Sequence, residues 1–471
     1  MRILLINPPI RLGHKPSFFP IGLGYIAQVL LNVGHKVDVL DINAERLSNS
    51  KVLERIDLKS KYDVIGTGGL ITTYKYLKWL ILNLKKFNPD SKIVVGGTVV
   101  SERSELLLEK TLADITVIGE GDITIQELCS ALEKEKPLNS VRGIVYKDGD
   151  QLKKTNPRPL IKDLDTLPYP AYDLFPMEIY LRNISISEML YPELEINMIT
   201  SRGCPYNCNF CYDPFGQGIR FNSIDYVIEH LKMVNERYKV EIVIIEDEGF
   251  TYNKKRIFEF CRKLRKEKLD IKWSCLARAN HVDREMLSVM KAHGCFWISY
   301  GIESGSQKIL DNMNKRITVA QGKKAIKLTQ DVGLTVVPTF MFGYPGETTE
   351  TITETIQFCK EFLLYPKFFF TTPYPGTKLY EQVKDRILQK YDTEDKFFEV
   401  LGDAWDFTIN LTDFSDETLL KLKKETERRL RRIPIRKVPQ YFLIRYKKYG
   451  VLLIRRIIKD FQRFLKFFLK H

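Results

Sequence analysis

The sequence is constrained most by two separate series in which short apolar runs alternate with segments of helical period. Alternation of this kind predicts parallel strands with covering helices, and the first series predicts a doubly wound α/β sheet. Ligands of such sheets bind at the loops that follow the strands. The predicted strands are Arg2–Asn7, Lys36–Leu40, Asp63–Thr67, Lys92–Gly96 and Asp114–Ile118, and the predicted helices include Gly22–Val33, Thr73–Phe87 and Ile123–Glu133.

The second series predicts a partial (β/α)6 barrel of the TIM type, whose active site should lie at the carboxyl ends of the strands. A hairpin, Gly143–Lys153, and a proline-punctuated linker, Leu167–Pro170, separate the two series. We therefore divide the chain into a sheet domain (1–140), a hairpin and linker (141–194), a barrel (195–385) and a helical C-terminal region (386–471). The predicted barrel strands are Ile196–Thr200, Ile242–Glu246, Ile271–Cys275, Trp297–Ile302, Val336–Phe342 and Phe368–Thr371, and the helices include Ser223–Tyr238, Lys254–Lys266 and Thr348–Phe362.

Length and composition are those of a large globular protein. The 471 residues exceed one ordinary core, and 44% hydrophobic with 28% charged residues excludes a disordered or collagen-like chain. Three of the eight cysteines are crowded into one short segment, which favours a reduced, metal-binding protein over a disulfide framework. The sequence shows neither a signal-peptide pattern nor an apolar run long enough to span a membrane, so we expect a cytoplasmic protein.

The crowded cysteines are Cys204, Cys208 and Cys211, which follow the first predicted barrel strand. Three thiolates at this spacing can ligate three irons of a cubane cluster from one loop. The next cysteine along the chain is Cys261, so the fourth iron would stay open for a substrate atom. A structural zinc knuckle needs four ligands, commonly as two pairs, and no second pair follows. We therefore predict a catalytic 4Fe–4S cluster, and we expect Cys129, Cys261, Cys275, Cys295 and Cys359 to be buried free thiols.

Further motifs follow the other predicted barrel strands in order, and together with the cysteine loop they resemble the radical S-adenosylmethionine superfamily. Phe210 has the position of the aromatic residue that packs on adenine in that family. The remaining matching segments are Glu246–Thr251, Gly301–Gly305, Gly343–Thr348 and Pro373–Thr377.

The resemblance implies roles in binding S-adenosylmethionine. Asp247 or Glu248 would face the methionine amino group, and Gly343 and Pro345 would belong to the segment behind the adenine. Two further roles are weighed on their chemistry, and both keep a structural alternative. Arg278 could bind the methionine carboxylate through its guanidinium, or it could be a solvated or structural arginine. Glu303 lies in the motif that contacts the ribose, or it is a salt-bridge partner at the barrel rim; its flanking glycines favour close ligand approach.

A doubly wound sheet ahead of the barrel resembles the cobalamin-binding branch of the same superfamily. The loops concerned are Asn7–Pro9, Gly96–Gly97 and Gly119–Gly121, so the resemblance implies cobalamin contacts at Gly96, Gly97, Gly119 and Glu120. Because the chain has no DxHxxG motif, we expect cobalamin to bind with its base displaced, and an empty, vestigial domain is the alternative. His14 was weighed as an axial ligand, but a lone loop histidine is usually solvated.

A dinucleotide site is rejected. Gly22 and Gly24 resemble the glycines of a dinucleotide-binding motif, but that motif requires them directly after the first strand, which is predicted to end at Asn7.

The positive charge of the chain is concentrated at its end. Between Lys421 and His471, 18 Lys and Arg face three acids, so this surplus of 15 exceeds the net charge of +14 and leaves −1 for the rest. Within Lys447–Lys470 the apolar residues have helical period, which predicts a basic amphipathic helix that lies on a membrane surface. The alternatives are a helix docked on its own barrel and a nucleic-acid patch; transfer-RNA-modifying relatives usually carry a second cysteine triad, which this chain lacks. The apolar face comprises Leu453, Ile457, Phe461, Phe464, Leu465, Phe468 and Leu469.

The sequence as a whole predicts a cobalamin-dependent radical enzyme that methylates, or otherwise forms a bond at, an unactivated carbon of a hydrophobic, lipid- or isoprenoid-like substrate. By resemblance, the cluster donates an electron to S-adenosylmethionine and a 5′-deoxyadenosyl radical abstracts hydrogen. An electron donor such as ferredoxin or flavodoxin is implied. The alternatives are a transfer-RNA-modifying enzyme, a cyclase with an empty cobalamin domain and a non-enzymatic iron–sulfur scaffold; no catalytic side chain is assigned.

Overall fold

The computed structural model describes residues 1–431 except positions 12, 14, 17, 58–61, 101–102, 183–193, 217 and 365. Strands of the N-terminal region pair in the order β2-β1-β3-β4-β5-β6-β7. Pairing is parallel from β2 to β5, and β6 and β7 join the edge as an antiparallel hairpin. These strands are β1 (Arg2–Asn7), β2 (Lys36–Asp41), β3 (Val64–Gly68), β4 (Lys92–Gly96), β5 (Ile115–Val117), β6 (Ile144–Asp148) and β7 (Gln151–Lys154).

Helices cover both faces of this sheet because its strands are apolar on both sides. Ile3 and Leu5 of β1 face one hydrophobic cluster, and Leu4 and Ile6 face another. The doubly wound sheet is therefore confirmed, with strand ends within a residue of the prediction. The hairpin extends the sheet, although it was grouped with the linker in the predicted division. The helices are α1 (Ile21–Asn32), α2 (Ile42–Glu45), α3 (Asn49–Ile56), α4 (Tyr74–Phe87), α5 (Ser104–Lys110) and α6 (Gly121–Glu133).

The second sheet is the predicted partial barrel, with parallel strands in the order β15-β14-β13-β12-β11-β8. Its strands are β8 (Glu195–Met198), β11 (Ile242–Ile245), β12 (Lys272–Ala277), β13 (Cys295–Glu303), β14 (Thr335–Phe342) and β15 (Lys367–Phe370), and a short ribbon of β9 (Ser201–Arg202) and β10 (Arg220–Phe221) follows β8. The helices are α7 (Met177–Tyr180), α8 (Ile224–Tyr238), α9 (Lys254–Lys266), α10 (Arg284–Ala292), α11 (Gln307–Asn312), α12 (Val319–Asp331) and α13 (Thr349–Glu361).

The region after the barrel returns to the N-terminal sheet, which the sequence did not predict. It comprises α14 (Lys378–Tyr391), α15 (Glu394–Val400) and α16 (Asp416–Arg431). Phe397 and Phe398 of α15 are buried in the same cluster as the α4 side chains. Tyr74 of α4 donates a 2.6 Å hydrogen bond to Asp395, and Lys78 pairs with the same carboxylate at 3.0 Å. These contacts fix the sheet domain against the chain that leaves the barrel.

The ligand-binding edges of the two sheets meet. The loop after β1 contacts the first barrel strand, because Phe19 and Asn197 exchange two hydrogen bonds between the Phe19 backbone and the Asn197 side chain. Phe19 itself is buried among Tyr172, Phe175 and Tyr180. The carboxyl ends of β1 and β8 therefore share one interface. Among the described residues, no helix is both long and apolar enough to cross a bilayer.

Candidate active site

The cysteine loop is closed at its base by the ribbon of β9 and β10. Arg202 lies opposite Arg220 in this antiparallel pair, so residues 203–219 form a loop whose two ends touch. Gly203 has φ +91°, and a Cβ at this position would overlap the carbonyl oxygen of Gly218. Only glycine accommodates both the left-handed conformation and the close approach. The cysteines are thus presented on a loop with a fixed base.

The three thiols of the cysteine loop differ in exposure but lie near one another. Cys208 is buried and Cys204 is half-buried. The Cys211 side chain is exposed, and yet burial, aided by the charge of Cys208, raises the pKa of its thiol to about 12. These observations agree if the thiol faces an enclosed recess. In the described part of the chain, no group of three or more His, Cys, Asp or Glu side chains is gathered closely enough to hold a metal ion. The loop nevertheless supplies the three thiols that a cubane takes from the protein, and the charges of Cys208 and Cys204 act on Cys211.

The other cysteines lie away from this recess. The remaining five are buried free thiols, which confirms the prediction. They are Cys129, Cys261, Cys275, Cys295 and Cys359.

Arg278 is placed beside the cluster loop rather than in solvent. Its Nη1 lies 3.9 Å from the Cys208 sulfur, and its guanidinium stacks 3.6 Å above the Tyr206 ring. Nε and Nη2 of Arg278 are buried and have no hydrogen-bond partner among the described residues. Buried donors without partners are costly. Two unused N–H groups beside the cysteines fit an anionic group, such as the carboxylate the sequence suggested.

The two neighbouring acids after β11 have different surroundings. Asp247 is fully buried and accepts hydrogen bonds from the Thr200 amide (2.5 Å), the Thr200 hydroxyl (2.6 Å) and the Ser201 amide (3.2 Å). Asp247 therefore fixes Thr200 and Ser201, the residues that lead into the cysteine loop. Glu248 is exposed and has no ion-pair partner in the described residues, and yet desolvation by the surrounding protein, together with the charges of Asp213 and Asp247, raises its pKa to about 7. Glu248 is the acid that is available to a ligand.

Glu303 is held by an ion pair, and its flanking glycines lie against the protein's own atoms. Lys315 Nζ lies 2.8 Å from Glu303 Oε1, and both side chains are nearly buried. A Cβ at Gly301 would overlap Glu303 Oε1 itself, and one at Gly305 would lie 2.6 Å from the Thr355 Cα. The glycines therefore make room for the protein's own packing. The salt-bridge alternative describes what the structure shows for this carboxylate.

Residues 313–315, which the sequence analysis did not single out, bind the cysteine loop. The Met313 carbonyl accepts from the Asn209 amide at 2.9 Å, and the Asn314 side chain donates to the Asn207 carbonyl at 3.1 Å. Lys315 lies 5.5 Å from the centre of the Phe210 ring. The only signal for this turn was the polar run after α11, which is common in surface loops.

The turn after β14 is secured by a buried acid. The amide of Gly343, whose turn also contains Pro345, donates a 2.6 Å hydrogen bond to Glu347 Oε2. Burial, which that hydrogen bond only partly offsets, raises the pKa of Glu347 to about 8. The native state therefore keeps a proton on Glu347 that the unfolded chain releases above its ordinary pKa.

This proton predicts a pH-dependent loss of stability. Between the ordinary glutamate pKa and about pH 8, the native state binds the extra proton, so stability falls as pH rises. Over this window the parent should lose about 1.4 kcal/mol of unfolding free energy per pH unit relative to Glu347→Gln, whose amide oxygen still accepts from Gly343. Urea unfolding at several pH values measures it, with the exposed Glu354→Gln as control. Parallel stability curves for parent and Glu347→Gln would contradict the prediction.

The loops after β3, β4 and β5 leave open space at the edge of the N-terminal sheet. A Cβ at Gly97 would lie 2.9 Å from backbone atoms of Gly69, so the first two loops touch. A Cβ at Gly96 or at Gly119 would meet nothing within 4 Å. Such backbone-lined space at the carboxyl ends of strands fits a large planar cofactor. His14, the weighed axial ligand, lies outside the described residues.

Glu120 has a different role from the predicted cofactor contact. Its Oε1 accepts from Arg202 at 2.9 Å, and its Oε2 lies 2.9 Å from Arg220 and accepts from the Ile161 amide at 2.8 Å. Both oxygens have protein partners, so we do not assign this carboxylate to cobalamin. This pairing could not be predicted, because Glu120 lies 82 residues from Arg202 and 100 residues from Arg220 along the chain.

The barrel face opposite the covering helices is partly apolar and open. Leu276 is 36% exposed and Trp405, from the loop after α15, is 39% exposed. The Trp405 ring lies 4.5 Å from that of Phe369. Arg11 of the loop after β1 pairs with Asp403, and Asn197 donates to Glu246 at 2.9 Å. This lining combines apolar side chains with a few charges between the two domains.

Comparisons with known proteins agree with this architecture. Residues 198–359 match the model of the radical SAM superfamily, and residues 15–129 match that of the B12 binding domain. An uncharacterized methyltransferase of Pyrococcus horikoshii is 33% identical over 441 residues, which cover 90% of this chain and 91% of the relative. The anaerobic magnesium-protoporphyrin IX monomethyl ester cyclase of Rubrivivax gelatinosus is 27% identical over 82% of this chain and 71% of its own.

A solved structure shows the same fold. The radical S-adenosylmethionine methyltransferase TsrM from Kitasatospora setae, with cobalamin and a 4Fe–4S cluster bound, superposes with a TM-score of 0.68. The match covers 82% of this chain and 75% of that one at 16% identity.

Proposed function

Because this chain belongs to the cobalamin-binding branch of the radical S-adenosylmethionine superfamily, we propose that it methylates an unactivated carbon of a hydrophobic small molecule. Its cofactors are a 4Fe–4S cluster, S-adenosylmethionine and cobalamin. The observation that carries the proposal is the meeting of the two ligand-binding edges, joined at Phe19 and Asn197 and bordered by apolar side chains. A substrate between them reaches both cofactors.

Different residues of the chain bind the cluster and S-adenosylmethionine. Cys204, Cys208 and Cys211 ligate the cluster, and Glu248 receives the methionine ammonium because its carboxylate has no cation partner in the described residues. When bound, the cluster and S-adenosylmethionine supply a carbon-centred radical, and cobalamin supplies a methyl group. An external electron donor is needed, for which we propose a ferredoxin or flavodoxin.

Further residues orient S-adenosylmethionine. Arg278 offers its two unused N–H groups to the methionine carboxylate. Phe210 would pack on the adenine, with Gly343 and Pro345 in the segment behind it. Glu303 would offer the ribose the oxygen that Lys315 does not bind.

The open barrel face supports the proposal of a hydrophobic substrate. Leu276 and Trp405 are large apolar side chains with more than a third of their surface exposed, although they lie beside a buried core. Covering them with substrate carbon would contribute about 25 cal/mol for each Å² removed from water. The Arg11–Asp403 pair and Glu246 supply the few polar groups that orient a ligand in an apolar pocket.

Ring closure is the second candidate, because the Rubrivivax gelatinosus relative is a cyclase. One experiment separates the outcomes. Cells with and without the enzyme are fed methionine with a deuterated methyl group, and their extracts are compared by mass spectrometry. Methyl transfer predicts an enzyme-dependent compound carrying the label, whereas an enzyme-dependent product that carries no label would favour cyclisation and overturn the proposal.

The C-terminal tail, residues 432–471, lies outside the described residues, and we propose from its sequence that it binds membrane surfaces. Each buried Phe contributes about 1.5–3 kcal/mol and each nearby cation about 1 kcal/mol. A chain ending near Arg432 should still cleave S-adenosylmethionine but no longer sediment with anionic vesicles. Phe461→Ser with Phe464→Ser should weaken sedimentation strongly at unchanged charge. Undiminished vesicle binding by this double variant, with tighter binding of transfer RNA, would refute the membrane role.

A further inference from the structure

Four charged side chains join the sheet domain to the base of the cysteine loop. Arg202 Nη1 lies 2.9 Å from Glu120 and 2.8 Å from Asp122, and its Nη2 lies 3.2 Å from the second Asp122 oxygen. Arg220 Nη1 donates to Glu120 and also to the Ile161 carbonyl at 2.6 Å. We call Glu120, Asp122, Arg202 and Arg220 the ion quartet.

The ion quartet is largely buried and balanced in charge. The side chains of Glu120, Asp122 and Arg202 are between 2% and 6% exposed, and two acids face two guanidinium groups. The Arg202 guanidinium also lies 5.3 Å from the Tyr25 ring and 5.4 Å from the Phe215 ring. Bidentate pairs between arginine and carboxylate fix direction as well as distance. Removing one member leaves a buried charge uncompensated, so the arrangement has little freedom to shift.

The two acids of the ion quartet lie beside the proposed cobalamin site, and its two arginines lie at the base of the cysteine loop. Glu120 and Asp122 flank the first residue of α6, directly after Gly119, where the edge of the sheet is open. Arg202 precedes Cys204 by two residues, and Gly203 between them is held tightly against Gly218. A shift of the loop after β5 is therefore transmitted to the base of the cysteine loop.

We propose that the ion quartet couples occupancy of the cobalamin site to occupancy of the cluster site, with Arg202 and Glu120 as positioning residues. Bound cobalamin would stabilise the loop after β5 in its present position, and the quartet would thereby hold the cysteine loop in the conformation that binds the cluster. Such coupling is reciprocal, so the cluster must tighten cobalamin binding by the same factor. The inference rests on the cofactors of the family and is independent of the substrate.

The test compares the dissociation constant of hydroxocobalamin, from optical titration, in cluster-free and cluster-loaded full-length protein under anaerobic conditions. In the parent the cluster should tighten binding by about fivefold or more. Glu120→Gln and Arg202→Lys should each bind hydroxocobalamin with nearly the same affinity in both states. Lys78→Gln is the matched control, because Lys78 of α4 joins the sheet domain to α15 through Asp395 at 3.0 Å and lies in neither cofactor loop.

A second readout needs no titration. Hydroxocobalamin should slow the release of iron from the parent and from Lys78→Gln to a chelator, but not from Arg220→Lys. Equal cobalamin affinities in cluster-free and cluster-loaded parent would overturn the proposal even if every quartet variant failed to fold. Coupling that persists unchanged in the quartet variants would overturn it as well.

Discussion

Replacing Cys208 with alanine is expected to abolish cluster assembly and, with it, all cleavage of S-adenosylmethionine. Cys208 is buried, its sulfur lies 3.9 Å from Arg278, and its loss leaves two thiolates for a cubane that needs three from the protein. Iron content and the absorbance of anaerobically reconstituted protein measure assembly, and chromatography of 5′-deoxyadenosine measures cleavage. Cys204→Ala and Cys211→Ala should behave alike.

The matched control for this change is Cys261→Ala. Cys261 is also a buried free thiol, but it lies on helix α9 and packs in the hydrophobic core of the barrel. Its removal deletes the same atoms and costs some stability, while iron content should stay close to that of the parent. Full iron content and activity in Cys208→Ala would show that the cysteine loop does not carry the cluster.

Asp247→Asn and Glu248→Gln are expected to fail in different ways although the two residues are adjacent. Asp247 accepts three buried hydrogen bonds through two oxygens, and asparagine offers only one acceptor oxygen, so Asp247→Asn should cost about 1–3 kcal/mol of stability and distort the cysteine loop. Glu248→Gln should fold and bind its cluster, but S-adenosylmethionine should bind about ten- to a hundredfold more weakly because a charged contact is lost.

Thermal unfolding and equilibrium dialysis of S-adenosylmethionine against cluster-loaded protein separate the two effects. Glu241→Gln, which precedes β11 at its opposite end, is the control for removing an acid beside the same strand. A destabilised Glu248→Gln, or normal S-adenosylmethionine affinity in that variant, would refute the assigned roles.

The elements of both sheets could be predicted because each strand and helix has its own periodic pattern. β1 and β4 have the predicted limits, and α9 does too. The cysteine loop could be recognised equally well, since the three cysteines that we propose as cluster ligands lie within eight residues. Local sequence therefore determines where the loops at the carboxyl ends of the strands lie and which chemistry they carry.

Contacts between distant segments could not be predicted in the same way. Nothing near Glu303 indicates that Lys315 neutralises it, or that Gly301 makes room for that same carboxylate. The pairing of Glu120 with Arg202 joins two domains, and either residue alone resembles an ordinary surface charge. The return of α15 to the N-terminal sheet likewise depends on the three-dimensional path of the chain. Which of Asp247 and Glu248 is free for a ligand is decided only by burial.

The most direct test of the central claim is product analysis with purified, cluster-loaded protein, cobalamin, a strong reductant and S-adenosylmethionine under anaerobic conditions. A cobalamin-dependent radical methyltransferase is predicted to form 5′-deoxyadenosine from radical cleavage and S-adenosylhomocysteine from methyl donation. The second product should disappear when cobalamin is omitted, and Cys208→Ala should form neither. Protein that retains a full cluster and cobalamin but forms neither product would contradict the account.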